Sequence, residues 1–313
     1  MLNKSYRNWI IDATFSDAAS AINLPIRKLF INDGKTTARD RFLVKALQRR
    51  EKEKNSQVLL GCHRMLKNFG GSLDNSVWQF RNSRVLVTHL AKEEYDTKLV
   101  TNLRGFDKLL CYNSEVAAYL LKIGFNHSRV QVIGGGVDRR VFFPQDKEKV
   151  YLPSNAYTLI CGDVKPRKRP ELIFEVVRSL PELSFVFHGV DWRLHCPKDL
   201  RQRSNLRFHD FRMKNQPELM RNANLYLNLS ELEGGPFPTL EALVSGTPVV
   251  VTKTGWNSEY VSEKNGFVLA TDSSVSEIVW AIKQAINLKE KIRNDDQIIG
   301  RALWTQVGER IYN

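Results

Sequence analysis

The sequence predicts an α/β protein made of two doubly wound parallel-sheet domains, and three observations predict it. Short apolar runs rich in Val, Ile, Leu and Phe alternate with helical tracts along all 313 residues. That order gives parallel sheets covered by helices on both faces. The length suits two domains of ordinary size, each able to bury its own core. A run of turn and breaker residues, Gly134-Gly-Gly-Val-Asp-Arg-Arg-Val-Phe-Phe-Pro144, falls near the middle. The domains are therefore expected at 1–144 and 145–293, with 294–313 as a terminal helix. Ligands in such folds bind at the carboxyl ends of the strands, here in a cleft between two facing domains.

Taken in order, the first half reads as strands at 9–13, 57–61, 84–88, 108–112 and 130–133, with a very basic helical tract at 36–54. The second half reads as strands at 158–161, 184–188, 206–209, 225–229, 248–252 and 266–269. Its helices are expected at 170–180, 217–222, 239–245 and 275–288, with Gly246 closing the third of these before Thr247-Pro248 restarts a strand.

Composition narrows the class. Apolar residues make up 42% and charged residues 26%, with no apolar run near the roughly 18 residues that a membrane span needs. The N-terminal residues lack the apolar centre of a secretory signal, and four scattered cysteines contain no Cys-x-x-Cys pair. A cytoplasmic chain with reduced thiols is expected, with no zinc site, and the lack of an Asp-x-Asp pair adds the expectation of no divalent-metal site. The net charge of +13 is uneven: residues 1–150 hold 26 Lys and Arg against 15 Asp and Glu, a balance of +11. The remaining 163 residues hold 21 against 19, a balance of +2. A polyanionic partner for the first half is expected: an anionic membrane surface, a glycan or nucleic acid.

Two loops carry the chemistry. The first is Glu233-Gly-Gly-Pro-Phe-Pro-Thr-Leu-Glu241, two acids eight positions apart between a strand-like and a helix-like run. A strand, a flexible loop and a helix start present free N–H groups and a helix dipole to an anion. Glu241 is expected in the first helical turn, held ionised by that dipole and accepting hydroxyl hydrogen bonds, while Glu233 on the loop reaches a sugar. The second is Cys161-Gly-Asp-Val-Lys-Pro-Arg-Lys-Arg-Pro170, where Lys165, Arg167, Lys168 and Arg169 stand at a strand-to-helix junction. Cations there suit a diphosphate and the charge on a departing nucleoside diphosphate. Each motif taken alone is also compatible with a plain turn or a solvated basic loop.

Together these residues resemble retaining GT-B glycosyltransferases of the family 4 type, which use nucleotide-sugar donors. The Glu233-to-Glu241 spacing is similar to that family's Glu-x7-Glu signature, extended by Leu240-Glu-Ala-Leu and Gly246-Thr-Pro-Val-Val. Residues 162–169 look like its diphosphate loop, with Lys168 at the family lysine. Asp163 stands where the family carries an arginine, whose part passes to Lys165 or Arg167. Gly136-Val-Asp-x-x-x-Phe142, Tyr112-Asn-Ser-Glu115, Gly255-Trp-Asn-Ser-Glu-Tyr-Val and Asn265-Gly-Phe-Val-Leu are similar as well, and Trp304 and Tyr312 look like a helix that crosses back to the first domain.

The resemblance implies a donor site in which Glu241 binds ribose hydroxyls and Glu233 the transferred sugar. Amides around Gly234, Gly235, Phe237, Thr239 and Leu240 would hold sugar and diphosphate, and Phe211 and Arg212 would lie near the base. It likewise implies that Lys168 acts in catalysis and that His89, at the end of Val85-Leu-Val-Thr, faces the reacting sugar. In place of the family's glycine-rich loop after the first strand stands Thr14-Phe-Ser-Asp-Ala-Ala-Ser20, whose Ser16 and Asp17 are acceptor-side candidates.

The reading is a metal-independent transferase with no cofactor, UDP-sugar or GDP-sugar as donor, and an acceptor hydroxyl on a polyanionic or membrane-associated glycan or lipid. Such an enzyme could act at the inner face of a membrane. Alternatives are a DNA glycosyltransferase acting on hydroxymethylated bases, a non-catalytic nucleotide-sugar-binding module, and a nucleotide-sugar epimerase.

Overall fold

The computed structural model describes residues 7–10, 26–28, 56–60, 83–87, 100–101, 103–144, 156–288 and 300–312. The chain divides into two compact units, Met1–Gly135 with Trp304–Asn313, and Gly136–Leu303.

The first unit holds a six-stranded sheet in the order β2-β1-β3-β4-β5-β6, every pairing parallel. Its strands are β1 Arg7–Ile10, β2 Ile26–Lys28, β3 Ser56–Leu60, β4 Ser83–Val87, β5 Lys108–Cys111 and β6 Val130–Val132. Five strands are expected here and six are present. The extra one, β2, is three residues long and carries two cations, so it has no apolar run to announce it. Wholly buried Val85, Leu86, Val87, Leu109, Leu110 and Cys111 centre the described core on β4 and β5. These strands are apolar on both faces, as a sheet covered on both sides requires. Helix Ser114–Lys122 follows β5, and its Asn113 cap accepts from the Val116 amide at 2.9 Å. The last helix, Trp304–Tyr312, is tied to β6 through Gln131, whose amide donates to the Arg310 carbonyl at 2.6 Å.

The second unit holds the sheet β12-β11-β10-β7-β8-β9, also parallel throughout. Its strands are β7 Thr158–Cys161, β8 Phe185–His188, β9 Leu206–His209, β10 Leu225–Asn228, β11 Val249–Thr252 and β12 Gly266–Leu269. All six fall within a residue or so of their expected bounds. Side chains alternate across the sheet. Ile160, Phe185, Phe187, Leu225, Leu227 and Val250 face a core shared with helices Pro170–Arg178 and Val275–Ile286. Phe174, Phe187, Trp192 and Phe208 form an aromatic chain in that layer with centroids 5.0–6.0 Å apart. A capping box of Ser274 and Glu277 starts the second of those helices.

The strand order places the functional region. The chain runs from β7 outward to β8 and β9, then returns to β10 on the other side of β7 and runs out to β12. The direction reverses between β7 and β10, the point where such sheets open a crevice at their carboxyl ends. The two motif loops leave β7 and β10, so both rise at that crevice. The expected basic helix at 36–54, His89, Ser16 and Asp17 lie outside the described residues. No helix of the described residues is long and apolar enough to cross a membrane.

Close backbone packing fixes the rim of the crevice. A Cβ on Gly189, just past β8, would stand 2.2 Å from the Gly162 carbonyl oxygen. Gly189→Ala is expected to cost about 3 kcal/mol, at the upper end of overpacking penalties because backbone must yield. Urea unfolding of the pair of proteins measures it, and an equal midpoint would show that the two loops are not in fixed contact.

Candidate active site

At the end of β7 the chain turns through Gly162, whose φ of +99° suits glycine alone. Its carbonyl accepts from the Trp192 indole at 2.7 Å. Asp163 accepts from the Val190 amide at 3.1 Å, so this carboxylate ties the β7 loop to the β8 loop. A 3-10 turn, Pro166–Lys168, follows, and Arg169 adopts left-handed φ 56° and ψ 56° before Pro170 opens the next helix. Arg169 donates to the Thr271 carbonyl. Backbone joins the two motif loops directly, because the Glu231 amide donates to the Arg167 carbonyl at 2.9 Å.

That junction brings Lys168 and Arg167 onto one acid. Lys168 Nζ and Arg167 Nη1 each lie 2.7 Å from Glu233 Oε1, and Arg167 also donates to the Leu232 carbonyl at 2.9 Å. The Lys168 and Glu233 side chains are only 13% and 10% exposed. Burial alone would raise the Glu233 carboxyl, but Lys168, Arg167 and a hydrogen bond from Ser230 outweigh it and hold it below the ordinary carboxylate value. Glu233 is thus an ionised, nearly buried carboxylate at neutral pH, neutralised by two cations. Of the two replacements open for the family arginine, Arg167 reaches the acid. Lys165 is exposed and makes no ion pair among the described residues.

Glu241 departs from expectation. The helix begins at Phe237 with Pro238 at its second position, two residues earlier than expected. Proline presets helical φ and lacks the amide that a first turn leaves unused. Glu241 therefore sits past the first turn, where the dipole has largely faded. It is packed by protein and meets no cation among the described residues. Burial pushes its carboxyl up to about 7, opposed only by a hydrogen bond from Gln216 Nε2 to Oε2. It is half protonated near neutrality rather than held ionised.

The remaining expected residues sort by exposure. Gly234, Gly235 and Phe237 are half-buried along the loop, while Thr239 and Leu240 are wholly buried and present only backbone to a ligand. Gly246, with φ +72°, closes the helix as expected. Phe211 is 39% exposed and leans on the His188 ring at 5.1 Å, and Arg212 is exposed beside it. His188 itself is wholly buried, and burial lowers its pKa, so the imidazole is neutral.

Three contacts escaped the sequence reading: Gln216 on Glu241, Trp192 on Gly162, and Trp256 behind Gly235. Each acts across tens of residues. Only the Gly-Gly pair, which leaves space for a neighbour, hinted at the last.

The sequence profile described as Glycosyl transferases group 1 matches residues 143–299, half of the chain and all of the second sheet. The chain belongs to this family. It is a transferase, a glycosyltransferase with the GT-B fold that its motifs imply. Sucrose-phosphate synthase from Thermosynechococcus elongatus superposes with a TM-score of 0.74 at 13% identity, covering 98% of this chain and 97% of that one. The lipopolysaccharide outer core galactosyltransferase WaaB, in its apo form, gives 0.71 at 13% identity over 98% of both chains. Anabaena HepE in complex with UDP and glucose gives 0.71 at 14% identity, again over 98% of both. No curated protein matches by sequence.

The two acids give a pH signature. Because the folded Glu241 pKa lies above its ordinary 4.5, its contribution to stability is present below 4.5 and is lost as pH rises through about 7. Between those values stability is expected to fall by about 1–3 kcal/mol, discounted for the partial exposure of the carboxyl. Glu241→Gln should remove that decline in thermal unfolding followed from pH 5 to 8. A variant with the wild-type slope would place the titration elsewhere.

Proposed function

We propose that this glycosyltransferase transfers a hexose from a UDP-sugar to an acceptor hydroxyl with retention at the anomeric carbon. The observation that carries the reading is the convergence of Lys168 and Arg167 on Glu233 at the strand-order reversal. These cations meet the diphosphate as it arrives and stabilise the charge that grows on it as the sugar leaves. They supply the charge that a metal provides elsewhere, which supports a metal-independent and cofactor-free reaction. Glu233 orients the sugar, with the amides of Gly234 and Gly235 beside it. Glu241, with Gln216 behind it, receives the ribose hydroxyls, and Phe211 and Arg212 border the base. GDP is the second candidate nucleotide. UDP is favoured because neighbours of the same fold are complexes with UDP and with UDP-glucose.

Retention follows from the family resemblance, with the departing phosphate taking the acceptor proton and no side chain assigned as base. The charge balance of +11 in residues 1–150 supports a polyanionic acceptor, a glycan or lipid at the inner face of a membrane. Ser16 and Asp17 are the acceptor-side residues of this reading, and His89 faces the reacting sugar.

Lys168→Ala is expected to lower kcat by on the order of 100- to 1000-fold, the scale seen when one donor to a developing charge is removed. The assay is release of UDP from a panel of UDP-sugars with mass spectrometry of the acceptor. Turnover at the wild-type rate would sink the assignment, and UDP-sugar interconversion without acceptor would point to an epimerase. The same charge favours one other acceptor, a modified base in DNA. Duplex binding that falls steeply between 50 and 200 mM salt, roughly 10³-fold or more, would support it, and no binding at low salt would remove it.

A further inference from the structure

The Glu233 loop contains two adjacent glycines, and glycine surrenders more conformational freedom on ordering than any other residue. Something must hold the loop still. A Cβ built on Gly235 would end 2.3 Å from Cζ3 of Trp256, 2.6 Å from Cη2 and 2.7 Å from Cε3. The indole therefore occupies the space that a side chain at 235 would take. Trp256 is wholly buried. Phe237, from the same loop, meets it edge-on at 5.0 Å and 89°, and Tyr260 meets it at 6.2 Å and 75°.

The residue before the indole completes the support. Gly255 has φ +57°, and a Cβ there would meet Pro236 Cδ at 3.0 Å and the Glu233 and Gly234 carbonyl oxygens at 3.1 Å. A Cβ at 255 and the indole at 256 would between them reach every position from Glu233 to Phe237. The wedge is pinned to the end of β11, because buried Asn257 donates its side-chain amide to the Thr252 carbonyl at 2.9 Å. Aromatic support of this kind fixes a loop because a large planar group fills its space with little rotamer freedom to lose.

We propose that Trp256 is a positioning residue for the donor sugar: its indole stands in for the side chain Gly235 lacks and sets the loop from which Glu233 meets Lys168 and Arg167. This rests on the donor reading above. The nucleotide end of that reading rests on Glu241 and Gln216, which are joined by their own hydrogen bond, so the two ends of the donor should respond differently when the wedge is removed.

The test is a reciprocal exchange, with UDP alone and the best-used UDP-sugar as probes. Trp256→Gly should raise the KM for the UDP-sugar about tenfold and lower kcat by about tenfold to 100-fold, the scale of a small misplacement of reacting groups. UDP should still bind at full stoichiometry with its Kd within about twofold, since uniform binding at that end is untouched. Adding Gly235→Phe to that variant should recover most of the loss, because an aromatic ring then fills the vacated space from the loop side. Gly235→Ala should harm the chain that keeps Trp256 and be tolerated in Trp256→Gly.

A Trp256→Gly protein with wild-type KM and kcat overturns the proposal. So does parallel loss of UDP binding and turnover, which marks the indole as a core filler. If Trp256→Gly does not fold, Gly235→Ala decides alone: weakened UDP-sugar use with intact UDP binding supports the proposal, and unchanged kinetics overturn it. A wild-type chain that binds UDP yet cleaves no UDP-sugar overturns the donor reading itself, and this inference with it. Normal turnover with an inert Trp256 overturns this inference alone.

Discussion

Glu233 carries a negative charge at a site that is 90% shielded from water, and the surrounding architecture is arranged around that constraint. A carboxylate placed there alone would neutralise itself by taking up a proton. It stays ionised because two cations on a single 3-10 turn meet one of its oxygens. Those cations reach it only because β7 and β10 are neighbours, and they are neighbours only because the chain reverses direction across the sheet at that point. The tight fit of Gly162 against Gly189 and the left-handed Arg169 then orient the cation loop. Removing one member would leave a nearly buried charge poorly compensated, which costs more than the pair contributes when intact.

The second acid has the opposite environment eight residues later. Glu241 meets protein and an amide donor, with no cation beside it among the described residues, so burial decides its state. Two carboxylates of the same type thus differ in charge at neutral pH because of what faces them. That division suits their parts. In the proposed donor reading, a group held between two cations and a sugar benefits from fixed charge, whereas a group that meets only hydroxyls can accept or donate.

The fold was legible because parallel strands buried on both faces are written as short apolar runs, and most strands of the second sheet were such runs, the edge strand β9 alternating instead. β2 was not, since Ile26–Lys28 has one apolar residue and relies on its neighbour β1 for its identity. The cation loop and the Glu233 loop were legible through residue type and spacing. Their contact followed from which strands sit side by side, which alternating strands and helices imply without fixing. Glu241 was misjudged through a two-residue error in the helix start: Pro238 reads as a breaker in a Gly-Pro-Phe-Pro run, yet it fits the second helical position. The contacts of Gln216 with Glu241, 25 positions away, and of Trp256 with Gly235, 21 away, have no local pattern to betray them. Their meaning is a matter of tertiary neighbours, and a propensity or spacing argument does not reach that far.

The resting site also bears on how a donor enters. Lys168 and Arg167 are already paired with Glu233 in the ligand-free crevice. In the proposed donor reading, a diphosphate must share or take over those bonds, and the exchange is more favourable when Glu233 gains a partner in return. A sugar hydroxyl supplies one. Such coupling makes nucleotide and sugar cooperate within one ligand, because each end relieves a cost the other creates. It needs a Glu233 loop that does not drift when the cations shift, and in this chain the rigidity comes from the ring of Trp256 behind a glycine.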